Sequence, residues 1–267
     1  MRSLVVAALL VAMAPTEASA RLVFEKLETT AIVVARDDGS RRRVVAHGFA
    51  PSLSPDGRRL VAAPYAPTLV VTTLAGVSHA YGEPGTGVAG VTFAPDGRRL
   101  AYVSLLDEIN GPSVDVLDLA TGHGGGGSGG FAAAWGARGL AVAYSTFTRY
   151  DQENVEYRVG MYEDGVLRTL VSRRDEDGAA WPVAWSANGQ TLLTAFERSF
   201  GFKHAVLVDR PPGSPRWLRG EWDQVVDLSE DGTAALAIAG DTAYSVPADG
   251  GRPDPLVRGV AAVDWTR

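Results

Sequence analysis

Two octapeptides decide the reading of this chain: Leu53-Ser54-Pro55-Asp56-Gly57-Arg58-Arg59-Leu60 and Phe93-Ala94-Pro95-Asp96-Gly97-Arg98-Arg99-Leu100. Each holds a type I turn: proline presets φ at the second position and glycine takes the left-handed fourth. Such a turn with a glycine bulge joins two antiparallel strands. Looser copies stand at Trp135-Gly136-Ala137-Arg138-Gly139, Trp185-Ser186-Ala187-Asn188-Gly189 and Leu228-Ser229-Glu230-Asp231-Gly232, and a truncated sixth is Val263-Asp264-Trp265-Thr266-Arg267. The bulky residue four before the glycine falls at 53, 93, 135, 185, 228 and 265, at intervals of 40, 42, 50, 43 and 37 residues.

Apolar runs flank each turn, such as 89–93 before the second and 100–104 after it. A third run follows in each unit, at 69–73, 114–119, 157–162, 205–209 and 243–247, and a fourth short strand leads on, as at 166–171. Four antiparallel strands in about forty residues is a propeller blade. After Arg21 no segment sustains a 3.6-residue apolar period, which excludes a helical fold. The 247 residues from Arg21 onward divide into six units of about 41 residues, a better fit than seven of about 35. One strand, 260–265, stands at the C-terminus, and three orphan strands, 22–25, 31–35 and 43–46, stand near the N-terminus. The predicted fold is therefore all-β, a six-bladed β-propeller whose ring is closed by one C-terminal and three N-terminal strands. Closure leaves no open sheet edge at the seam.

The Ser-Pro-Asp-Gly-Arg-Arg-Leu anchors, the run Leu117-Asp118-Leu119-Ala120-Thr121-Gly122 and the six-fold count resemble TolB-type, WD40-like β-propeller repeats across 21–267. Anchors three and four depart, with Ala137-Arg138 and Ala187-Asn188 in place of Pro-Asp. The resemblance implies a fold and a habit of binding partners, and no particular reaction.

Residues 1–20 read as a signal peptide. Arg2 supplies the positive start, 4–14 are eleven apolar residues, and Ala18-Ser19-Ala20 offers the small residues of a cleavage site after Ala20. As a helix the run rises about 16 Å, half of a ~30 Å hydrocarbon core, so an uncleaved anchor is the minor reading and the mature chain is expected to carry none. The expected location is secreted or periplasmic. Two lysines against twenty-three arginines fit a GC-rich bacterial genome. A net charge of -6 argues against nucleic acid, and the lack of cysteine removes disulfides, thiolate metal sites and cysteine nucleophiles.

The tract Gly122-His123-Gly124-Gly125-Gly126-Gly127-Ser128-Gly129-Gly130 mimics both a hydrolase oxyanion motif and a nucleophile elbow. The elbow needs a strand-to-helix turn, and 131–135 leads straight into an inner strand. A flexible glycine linker replacing part of an outer strand is the expected structure. His47, His79, His123 and His204 sit in four separate segments without metal-ligand spacing and read as turn or surface histidines. Asp56, Asp96 and Asp231 are turn formers. Trp135, Trp185 and Trp265 recur at repeat spacing and fill the wedges between blades.

On the face opposite the tight turns, the longer connections 107–112, 146–154, 172–178 and 197–203 cluster over blades two to four. They concentrate Arg149, Tyr150, Asp151, Glu153, Arg173, Arg174, Asp175, Arg198, Phe200, Phe202 and Lys203. Mixed arginine and aromatic residues suit a recognition surface. The expectation is a monomer that binds an envelope or extracellular protein, peptide or glycan without catalysis or cofactor. The alternative is a metal-dependent enzyme of the lactonase or sugar-dehydrogenase kind, with calcium in the central channel held by oxygens such as those of Asp223, Asp227 and Asp264.

Overall fold

A computed structural model describes residues 21–26, 28–36, 40–63, 68–81, 87–105, 112–147, 155–163, 166–174, 179–199, 202–209, 215–229 and 231–265. The signal-peptide segment 1–20 lies outside them. Three strands come first: β1 (Arg21–Lys26), β2 (Ala31–Arg36) and β3 (Arg43–His47). Blade one is β4 (Phe49–Leu53), β5 (Arg59–Ala63), β6 (Leu69–Thr73) and β7 (Ser78–Tyr81). Blade two is β8 (Val88–Phe93), β9 (Arg99–Leu105), β10 (Pro112–Asp118) and β11 (Gly124–Gly129). Blade three is β12 (Ala132–Gly136), β13 (Gly139–Phe147), β14 (Val155–Glu163) and β15 (Val166–Arg174). Blade four is β16 (Ala179–Trp185), β17 (Thr191–Ser199), β18 (Phe202–Asp209) and β19 (Arg216–Trp217). Blade five is β20 (Gln224–Leu228), β21 (Ala234–Ala239), β22 (Thr242–Pro247) and β23 (Asp254–Arg258), and the chain returns in β24 (Val260–Trp265). The sixth sheet runs β24-β1-β2-β3, so one C-terminal and three N-terminal strands close the ring as expected. In that closure Leu22 faces Trp265 and Phe24 faces Val263.

The turns form as their residues dictate. Gly57, Gly97, Gly189 and Gly232 take φ of 60°, 63°, 65° and 72°. Each donates its N–H to the carbonyl three residues back, at 2.8 Å. The Asp56 carboxylate accepts from Ser54 Oγ at 2.5 Å and from the Arg58 N–H at 3.0 Å. In anchor four Asn188 Oδ1 accepts from Ser186 Oγ and the Gln190 N–H in the same way. Asparagine thus supplies the one oxygen that the turn uses.

Six apolar clusters, one at each blade junction, make up the core. Successive residues of a strand point to opposite faces of its sheet. Ala205 and Leu207 therefore pack toward blade five, while Val206 and Val208 pack toward blade three. Leu22 and Phe24 likewise face blade five, and Val23 faces blade one. Trp135 and Trp185, both buried, fill the junctions of blades two with three and three with four. Nothing is described of the Trp265 side chain.

The anchor sequence also ties neighbours together. Arg59 of blade one reaches across to donate to the Gly97 carbonyl of blade two at 2.7 Å, with its guanidinium 5.7 Å from the Phe93 ring centre. Arg99 of blade two sits 4.9 Å over the Trp135 ring of blade three. The leucine after each arginine, Leu60 or Leu100, is fully buried.

Two expectations need correction. The glycine tract is no linker: 124–129 forms β11, the outer strand of blade two, paired with β10 from Ser113↔Gly129 to Leu117↔Gly124. A ladder uses backbone groups alone, so absent side chains do not prevent it. The connections of blades three and four are shorter than expected, because their strands continue. Glu156↔Arg174 still pairs in β14–β15, and Ser199↔Phe202 still pairs in β17–β18.

Two outcomes follow from this packing. Arg59→Ala should cost about 1–2 kcal/mol in urea unfolding, through the lost hydrogen bond and ring contact, against less than about 0.5 kcal/mol for exposed Arg58→Ala. Hydrogen bonds from Thr233, then Ser229, hold the Asp231 carboxyl below its ordinary range. A folded-state value below the unfolded one stabilises fully above about pH 4 and is lost as pH falls through the folded value. Asp231→Asn, which copies Asn188, should therefore leave Tm near pH 7 within about 2 °C of the parent and make it fall less on acidification.

Candidate functional site

The inner strands β4, β8, β12, β16, β20 and β24 surround a central channel with a cavity of about 280 Å³. Its wall is largely apolar, with Val91, Ala133, Val183 and Val226 among the lining side chains. The polar groups are Ser52, Thr92, Tyr102, Gln224 and Asp264. Burial, and then the nearby Asp115 charge, push the Tyr102 hydroxyl above its ordinary pKa. Gln224 Nε2 donates to the Ala261 carbonyl at 3.1 Å. Asp264 Oδ2 accepts from the Leu53 N–H of blade one at 2.8 Å, which ties the closing blade to its neighbour.

Calcium takes six to eight oxygen ligands, commonly from several carboxylates. Among the described residues no three His, Asp or Glu side chains converge. Of the three aspartates considered, only Asp264 lines the channel. Asp227 is buried in β20, and the exposed Asp223 accepts from the Gly240 N–H at 2.6 Å on the opposite face. This donor set does not fit a calcium site. The hydrolase motif also dissolves, since Ser128 pairs with Val114 in an outer strand and the chain passes directly into β12.

On the face away from the tight turns, blade four carries an aromatic and cationic rim. Phe202, His204 and Val206 alternate onto one side of β18. Phe202 is 56% exposed, and His204 lies 5.8 Å from the ring of Trp217, itself 43% exposed. Phe196 supports Trp217 from beneath at 5.5 Å. On the other side of β18, Lys203 Nζ donates to the Asp223 carbonyl at 2.7 Å and stands 6.0 Å from the Trp181 ring. Backbone bonds between Lys203 and Trp222 dock the chain leading into blade five. Trp222 is buried against Tyr244 and over Gly220, where a Cβ would stand 2.5 Å from its ring. Glycine is required there, at φ 109°.

Of the predicted surface residues, Phe202 and Lys203 fall together on this rim. Arg173 and Arg174 lie on β15 and Arg198 on β17, with side chains outside the described set; Arg149, Tyr150, Asp151, Glu153, Asp175 and Phe200 lie outside the described residues. The sequence reading missed Trp181, Trp217 and Trp222. Their signal was available, for all three fall off the spacing of the repeated anchor tryptophans. The histidines divide: His47, His79 and His123 are exposed, whereas His204 is a half-buried strand residue.

No protein-family model and no curated protein matches the chain. Solved structures with a similar fold include TolB from Acinetobacter baumannii, with a TM-score of 0.64 at 16% identity over 93% of this chain and 66% of that one. A protein of Agrobacterium tumefaciens assigned as a TolB gives 0.61 at 18% identity, over 93% of this chain and 99% of that one. The β-propeller domain of the Trilobed protease from Pyrococcus furiosus, described as having an open velcro topology, gives 0.59 at 15% identity over 84% and 73%. At these identities the likeness is one of fold. The chain is a six-bladed β-propeller with a TolB-like fold.

Proposed function

We propose that this protein is an exported, monomeric recognition propeller that binds an envelope or extracellular protein, peptide or glycan without catalysis, through its loop-rich face over blades two to four. The observation that carries this reading is the strip formed by Phe202, His204 and Trp217 on blade four. Exposed rings of this kind bury large area on binding at low conformational cost and dominate binding hot spots. Among the described residues the exposed large aromatics are Tyr162, Phe202 and Trp217, all on blades three and four. A TolB-like propeller suits a binding scaffold, and its rigid blades hold such a strip in place. Export rests on the signal-peptide pattern of 1–20.

Two measurements test this. A photo-crosslinking phenylalanine analogue in place of Phe202 should give a discrete adduct in the envelope of the native host, while the same analogue in place of exposed Val77 on blade one should give none. Equal labelling from both positions would remove the recognition face. The melting temperature should not change when EDTA is added. A bound ion at one hundred times its Kd contributes about 2.7 kcal/mol, so a fall on chelation that calcium restores would favour the metal-dependent enzyme instead.

A further inference from the structure

A second cavity, of about 190 Å³, opens at the other end of the channel, among the tight turns of blades one to four. Its floor is Ser52, Thr92 and Asp264, shared with the central channel. Its walls are the buried rings of Phe93, Trp135 and Trp185. At its rim the anchors that keep proline present Pro55 and Pro95, and those that depart present Ala137 and Ala187. The smaller alanines widen that side of the mouth. We propose that this turn-face pocket binds a single neutral sugar ring. The site lies on the opposite face from the loop-rich surface and does not depend on it.

Size sets the first limit. A cavity of about 150 Å³ holds a benzene ring, so this one accepts one six-membered ring with its substituents. Polarity sets the second. Asp264 supplies acceptor oxygen at the floor, held in place by the Leu53 N–H, and Ser52 and Thr92 add hydroxyls that both donate and accept. Donors and acceptors beside apolar walls match a polyhydroxylated ring with an apolar face.

Charge excludes the alternatives. Among the described residues no lysine, arginine or histidine lines the pocket, which disfavours an anion. Asp264 is the one charged side chain in the described lining, and the guanidiniums of Arg59 and Arg99 over the Phe93 and Trp135 rings set positive charge behind them that opposes an organic cation. Trp185 lies flat over Gly136, where a Cβ would be 2.6 Å from its ring.

Calorimetric titration of the purified full chain with D-glucose and N-acetyl-D-glucosamine, and with benzylamine and benzoate as charged rings, decides the matter. Saturable binding of at least one sugar, at a Kd of about 1 mM, is expected, with neither charged ring competing. Ser52→Ala removes one hydroxyl of the floor and Thr92→Val another, and each should weaken the sugar several-fold. Phe202→Ala, on the other face, should leave it unchanged. No saturable sugar binding, tighter binding of benzylamine, or sugar binding indifferent to both pocket variants in a normally melting protein would overturn the assignment. Should Ser52→Ala fail to fold, Thr92→Val carries the decision.

Discussion

Each blade buries both faces of its sheet against neighbours, and this demands a closed ring. A lone four-stranded sheet of such strands would expose two apolar faces, and an open arc would expose one at each end. The pairing of β1 with β24 prevents this. It joins residues more than two hundred positions apart, from Leu22↔Trp265 to Lys26↔Val260. It also places Leu22 and Phe24 against blade five and Val23 against blade one. The Asp264 bond to the Leu53 N–H then fixes the closing blade to the next. The seam is thus hydrogen-bonded.

Burial on both faces explains why the fold was legible. A strand with one wet face alternates polar and apolar residues, whereas Ala31-Ile32-Val33-Val34-Ala35 is apolar throughout and buried throughout. With five clear turns between such runs, the count of blades and the split of the last one follow from spacing alone. The register and the interblade ties do not. Arg58 and Arg59 are adjacent and chemically identical, yet only the second is described reaching the next blade, to the Gly97 carbonyl, and nothing local to the sequence distinguishes them.

The candidate site was less legible for a related reason. By sequence the strands end where apolar residues give way to polar and aromatic ones, at 197–203 for instance. The ladder continues through Glu197↔Lys203 because a strand at the rim needs only its backbone to pair. Phe202 and Lys203 are thus rigid strand residues on opposite sides of β18, one facing solvent and one seated against blade five. The three tryptophans beside them are illegible from the repeat, because a repeat shows only what recurs. Trp181, Trp217 and Trp222 break the pattern, and in a repeat protein the breaks carry what is individual.

That principle reaches the anchors themselves. Loss of the proline at Ala137 and Ala187, and of the aspartate at Asn188, resembles decay of a motif. The turn at Asn188 nevertheless keeps the two bonds that Asp56 makes in its own anchor, here from Ser186 Oγ and from the Gln190 N–H. Gly189 retains both its left-handed φ and its bond to the Ser186 carbonyl. The turn therefore survives the change. What changes is the outline of the channel mouth, where two small alanines stand opposite two prolines above the indole of Trp185. A turn that needs only an oxygen, a hydroxyl and a glycine leaves its second position open to selection for shape. The two faces of the ring can consequently be shaped separately, one through its long connections and the other through single residues in turns whose geometry is already secured.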